Sequence, residues 1–197
     1  MRKWLVPVII IVAIVAIVGF WAVGIKNSAL DKSQSVAESW GNVNTSYQRR
    51  NDLIGNLVKT VEGAANFEKG TLTAVTEARA KASSIQVDAS NATPEQLEAY
   101  GKAQAGVQST FSRLLATVEN YPTLSATENF KKLQDELAST ENTIQTARTR
   151  YNETVKDYNS YVLRFPNSMF LGQYKEKPYF NAVEGADKPV DVNFNIK

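Results

Sequence analysis

The chain has 197 residues, 22 Lys and Arg against 20 Asp and Glu, a formal net charge of +2, and neither cysteine nor histidine. That composition excludes thiol nucleophiles, disulfides, histidine-based triads, zinc sites built on Cys or His, and a lipidated-cysteine anchor. Carboxylates, Lys, Tyr, Ser and Thr remain for catalysis, but the sequence carries no EF-hand loop, glycine-rich phosphate loop or G-x-S-x-G elbow. No catalytic residue, cofactor or metal ligand is therefore nominated.

After Arg2 and Lys3 comes an uncharged stretch from Trp4 to Ile25. As a helix, Leu5 to Ile25 is about 30 Å long, the thickness of a bilayer's hydrocarbon core. Trp4 lies at one end and Phe20–Trp21 near the other, where amphipathic rings favour the headgroup zone. Ala22-Val23-Gly24 loosely resembles a cleavage site, but the apolar run is longer than a signal peptide's. The expectation is an uncleaved single-pass anchor over 1–26. Of the 22 basic residues, Arg2, Lys3 and Lys26 belong to that segment, leaving 19 against 20 acids. So balanced a remainder has no electrostatic footprint for nucleic acid. The basic flanks nearly cancel, and the N-terminal amine tips the orientation toward the bundle lying outside the cytoplasm.

From Asp31 to about Val87 a seam recurs at spacings of three and four: Val36, Trp40, Val43, Tyr47, Arg50, Ile54, Leu57, Val61, Ala64, Glu68, Thr71, Val75, Ala78, Ala82 and Ile85. This is a long amphipathic helix, weakened by Gly55, Gly63 and Gly70, where a bend or break is expected. Thr93-Pro94-Glu95-Gln96 reads as a capping box opening a helix to about Asn120, before Pro122. Ser125-Ala126-Thr127-Glu128 reads as a second box. It opens a helix whose seam runs from Phe130 through Leu137, Ile144, Tyr151 and Tyr158 to Phe165. Short connections favour antiparallel neighbours. The expected fold is all-α: a transmembrane helix, an up-and-down bundle over 27–166, and an irregular C-terminal tail over 167–197. The end of the tail alternates Val190, Val192, Phe194 and Ile196 with polar residues, a strand period. It either packs on the bundle or stays mobile, or it adds to the sheet edge of an envelope partner.

The run Tyr47-Gln48-Arg49-Arg50-Asn51-Asp52-Leu53-Ile54-Gly55-Asn56-Leu57-Val58 resembles the signature of the LemA family. Glu68 with Leu72, Ala78-Arg79, Glu119-Asn120-Tyr121-Pro122, Asn129-Phe130, Thr140-Glu141-Asn142, Ala147-Arg148, Tyr151-Asn152, Tyr158-Asn159 and Lys177-Pro178-Tyr179-Phe180 extend the likeness along most of the chain. Gly55 stands where that family usually has proline, and Phe67 where it usually has histidine. The resemblance implies a membrane-anchored helical bundle and no enzymatic activity.

Arg50 and Glu68 fall on the first seam, where a bundle places apolar side chains; a buried charge there needs a partner. Arg79, Glu141 and Arg148 are the candidate partners, and the five together read as a structural polar network. The functional expectation is a non-catalytic scaffold or adaptor at the bacterial envelope, self-assembling or holding another envelope protein. The alternative is a small-ligand sensor or carboxylate-based enzyme, which requires a concave pocket with convergent polar groups.

Overall fold

A computed structural model describes residues 4–63 and 67–181. Its helices are α1 (Leu5–Glu62), α2 (Lys69–Ser84), α3 (Pro94–Val118), the single turn α4 (Pro122–Ser125) and α5 (Glu128–Leu163), followed by a 3-10 turn at Asn167–Met169. The fold is all-α, and no strand occurs among the described residues.

The anchor and the first bundle helix are one element. α1 runs 58 residues without a break, about 87 Å. What changes along it is the company it keeps. From Trp4 to Gly24 nearly every side chain is exposed. From Ile25 a buried stripe begins and continues through Ala29, Val36, Trp40, Val43, Tyr47, Arg50, Ile54, Leu57 and Val61. An apolar surface exposed on all sides is intolerable in water and ordinary in lipid. The exposed apolar run gives way to the buried stripe at Ile25 with no linker between them.

α1 ends at Gly63, and α2 begins after Glu68, whose backbone is extended. The expected break thus falls between Gly63 and Lys69, with Gly55 and Gly70 inside helices, and the seam resumes in α2 at the buried Val75 and Ala82. Glu68, which the continuous seam places inside, is exposed because it falls in the break, at the extended N-cap of α2. Thr93 and Gln96 cap α3 reciprocally as expected. The second box is corrected: Ser125 closes the turn α4, and Thr127 caps α5, accepting from the Phe130 N–H at 3.4 Å. Pro122 allows this by opening its own short turn before the long helix starts.

α1 leads away from the anchor, α2 returns, α3 leads away again, and α5 comes back along α1. Two cores result. The distal one joins Ile54, Leu57, Val61, Val75, Val107, Leu114, Val118 and Leu137. The anchor-proximal one joins Ile25, Val36, Trp40, Tyr47, Tyr100, Tyr151, Tyr158, Leu171 and Phe180. Arg50 is in neither, and lies in sequence between the α1 contributions to both.

Candidate functional site

The polar layer between the cores is centred on Arg50, whose side chain is only 4% exposed. One guanidinium nitrogen, Nη1, donates to Glu141 Oε1 at 2.9 Å. The other, Nη2, donates to the Gln104 backbone carbonyl at 3.0 Å and to Gln104 Oε1 at 2.8 Å. The cation also stands 4.9 Å from the Tyr47 ring centroid. Three helices, α1, α3 and α5, therefore meet on one planar fork. The geometry suits Arg and no other cation, because a fixed fork can satisfy several acceptors at once. Glu141 is 38% exposed, so the carboxylate keeps part of its hydration while the guanidinium has lost nearly all of its own. The pair is asymmetric, and Arg50 is the member that depends on it.

Of the other expected members, Arg148 lies one step away. Its guanidinium stands 4.5 Å from the Phe180 ring and donates to the Asn181 carbonyl at 3.2 Å. Tyr47 has both Arg148 and Arg50 as electrostatic neighbours; burial pushes its hydroxyl pKa up, and the two cations pull it partly back. Arg79 is placed elsewhere, against Gly55: a Cβ at that glycine would come within 2.6 Å of the Arg79 guanidinium. The side chain missing at position 55 is the space Arg79 occupies. Glu68 sits at the N-cap of α2, exposed, with no side-chain cap.

The spacing of Leu97, Tyr100, Gln104, Val107 and Phe111 puts Gln104 on the inward seam of α3, but sequence reasoning did not find its pairing with Arg50. Nor did it find the clip that binds the tail. Asn152 donates to the Phe180 carbonyl at 2.9 Å and accepts from the Phe180 N–H at 2.8 Å. One heptad later, Asn159 does the same to Lys177, with both bonds at 2.9 Å. Beside them Tyr151 and Tyr158 donate to the carbonyls of Pro178 and Lys175. The spacing explains the repeat. Seven helical residues rise about 10.5 Å, and three extended residues from 177 to 180 cover nearly the same distance. Two Tyr-Asn pairs a heptad apart were the available signal. The tail to residue 181 thus packs on α5; the strand-patterned Val190, Val192, Phe194 and Ile196 lie outside the described residues.

Lys177 is the buried cation of this region. Its ammonium donates to the Ala89 carbonyl at 3.1 Å and lies 5.2 Å from the Tyr158 ring. Burial lowers its pKa, with Asp88 opposing. Burial raises the hydroxyls of Tyr100, Tyr151 and Tyr158 too, Tyr151 to about 12. Such groups hold their protons at neutral pH and are poor acid–base catalysts there.

Two clefts flank the polar layer. One of about 320 Å³ is lined by Trp40, Tyr47 and Tyr100 with the amides of Asn44, Gln48, Asn51 and Gln104. The other, of about 200 Å³, opens beside Arg50 and Glu141 between Phe111, Leu115 and Leu137. Among the described residues, no group of three or more carboxylates is placed to hold a metal ion.

A long helix that is apolar all round at one end and striped at the other, carrying an antiparallel bundle, defines a membrane-anchored all-α protein. The model of the LemA family matches residues 39–194, and the chain belongs to that family. Relatives of named type are more distant. Magnetosome protein MamQ 2 of Paramagnetospirillum magneticum is 25% identical over 94% of this chain and 76% of its own length. Magnetosome protein MamQ of Magnetospirillum gryphiswaldense is 27% identical over 73% of this chain and 60% of its own. Protein LemA of Metamycoplasma hominis is 25% identical over 74% and 63%.

Proposed function

We propose that this protein is a non-catalytic scaffold or adaptor, fixed in the bacterial envelope by a single pass of α1, with residues 27–166 as the working bundle on the extracytoplasmic side. The observation that carries the reading is the unbroken α1: an anchor that continues into the bundle without a linker sets the bundle's height and tilt at the membrane. A scaffold requires that, whereas a tethered enzyme has no evident use for it. The Arg50–Gln104–Glu141 layer serves as a register device. A buried fork that must meet α3 and α5 together penalises any slipped packing of the helices. Arg148 extends the same network to the tail, with Arg79 and Glu68 outside it. The segment Val190–Ile196 is the handle for an envelope partner or a second copy. Crosslinking in intact membranes, followed by identification of the captured protein, tests this. Adducts containing a second copy or a specific envelope protein support it; a chain recovered only as an uncrosslinked monomer contradicts it.

One observation favours the reading of a small-ligand sensor. In the larger cleft, Asn51 Oδ1 is buried without a hydrogen-bond partner beside an aromatic floor. A ligand presenting an N–H or O–H to that oxygen and a flat face to Tyr47 or Tyr100 suits the cleft. Trp40 lines it, so tryptophan fluorescence is the readout: a saturable change with a polar small molecule, abolished by Asn51→Ala, supports this reading.

A further inference from the structure

The bundle's lower rim faces the membrane with side chains that water does not suit. Leu163 is 56% exposed, Phe165 74% and Met169 71%, three large apolar groups within seven residues. Scattered singly, exposed apolar residues need no explanation. These are adjacent, and their height on the molecule can be read from α1. Ser39 and Thr154 hydroxyls meet at 2.7 Å. The Lys32 ammonium stands 5.6 Å from the Tyr161 ring, and the Tyr161 hydroxyl donates to the Ile25 carbonyl at 3.4 Å. Past the end of α5, Phe170 packs edge-on against Trp21, with ring centroids 5.6 Å apart.

Each step down α5 therefore pairs with a step toward the anchor. Ile25 is the last residue of the uncharged run, and Trp21 lies four residues, about 6 Å, inside it. The turn 164–170 therefore descends from just above Ile25 to the depth of Trp21, where Phe170 lies. Segments lying in a bilayer's interface bury their apolar face about 5–10 Å into the headgroup and acyl boundary. Lys26 and Lys32 follow Ile25 on α1, and Arg164 opens the turn beside Lys32 and Asp157 in a shared cleft, which puts cations at the level of lipid phosphates.

We propose that the rim 163–170 is a second membrane-contacting element, dipping Leu163, Phe165 and Met169 into the outer edge of the same bilayer that α1 crosses. The occupant is lipid: the rim is continuous with the anchor's own lipid-facing surface through Trp21 and Phe170, and cations border it on the side away from the hydrocarbon. Two contacts separated across the bundle's base, one spanning and one interfacial, prevent the bundle from leaning. The inference rests on the membrane-spanning reading of α1.

The chain's lack of cysteine makes a direct test simple. The full chain is reconstituted in vesicles of phosphatidylcholine and phosphatidylglycerol, with a nitroxide at Leu163→Cys, Met169→Cys, the anchor position Ile14→Cys, or the distal position Ser109→Cys. Relaxation by oxygen, which concentrates in lipid, is compared with relaxation by a water-soluble nickel chelate. The expected result is an oxygen-to-nickel ratio at 163 and 169 several-fold above that at 109 and below that at 14. Ratios at 163 and 169 equal to that at 109, with 14 high, overturn the proposal while leaving the anchor intact. Protection of 163 and 169 from both reagents also overturns it, because protein then covers the rim. A water-like ratio at 14 overturns the spanning reading itself.

Discussion

Beyond Arg50 the bundle is closed mainly by aliphatic side chains from four helices, Ile54, Val75, Val107 and Leu137 among them, with Phe67, Phe111 and Phe130, whereas toward the anchor Trp40, Tyr47, Tyr100, Tyr151, Tyr158 and Phe180 gather in one aromatic group. The distal core rests chiefly on shape and hydrophobic area. The proximal core also has directed bonds: Trp40 Nε1 donates to the Val87 carbonyl at 3.0 Å, and the Tyr-Asn pairs hold the tail. Directed bonds are needed there because the elements being fixed, residues 85–92 and 170–181, are not helices. An extended segment cannot satisfy its own backbone, so side chains must do it. The difference teaches that the distal end is built for stability and the proximal end for position.

That contrast can be broken first in the distal core. Leu57→Ala removes a fully buried side chain and should cost about 2–5 kcal/mol, read as a lower denaturation midpoint of the full chain in detergent. The tail's amide protection at Lys177 and Phe180 should stay unchanged relative to the global value. Next comes the layer between the cores. Glu141→Ala strands the buried Arg50 and should cost about 2–4 kcal/mol, whereas Arg50→Met should cost about 1 kcal/mol or less. Equal losses for the two would show that burial of the cation is not what the pair balances.

In the proximal half, Asn159→Ala removes two hydrogen bonds to Lys177 and should cost about 1–3 kcal/mol. Here hydrogen exchange at Lys177 should accelerate far more than the loss of global stability requires. The same half should dominate alkaline unfolding. Tyr47, Tyr100, Tyr151 and Tyr158 all have pKa values raised above 10.0 in the fold by burial. Their contribution is fully present below pH 10 and is lost as pH rises past it, through about 12 for Tyr151. Lys177 acts oppositely: its depressed pKa gives a contribution that grows as pH rises toward 10.5, one group against four. Circular dichroism across pH 9–12 should show the midpoint shifting upward in Tyr151→Phe. Smallest of all, Glu68→Ala should move stability by no more than about 0.5 kcal/mol, since Glu68 is exposed between helices.

The helices and their order were legible because the three-four periodicity survives nearly intact along α1, α3 and α5. The seam failed at Glu68, which falls in the break after Gly63, and held again in α2, where Val75 and Ala82 are buried. Arg50 and Glu141 could be nominated as charged residues at core or motif positions. Gln104 falls on the α3 seam, but a neutral amide gives no sign of which charge it meets. The clip was hidden for a related reason: Asn152 and Asn159 bond a segment whose extended course has no periodic signature. The rim at 163–170 needed the register between α1 and α5, which no local pattern supplies.

The central claim is that α1 joins anchor to bundle as one helix. Amide hydrogen exchange of the lipid-reconstituted full chain across residues 22–36 measures it directly. Continuous slow exchange from the apolar run through Ile25 and Ala29 into Val36 is the predicted result. A window of fast exchange between Lys26 and Gln34 would mean a flexible joint, and a bundle tethered to the membrane without a fixed pose.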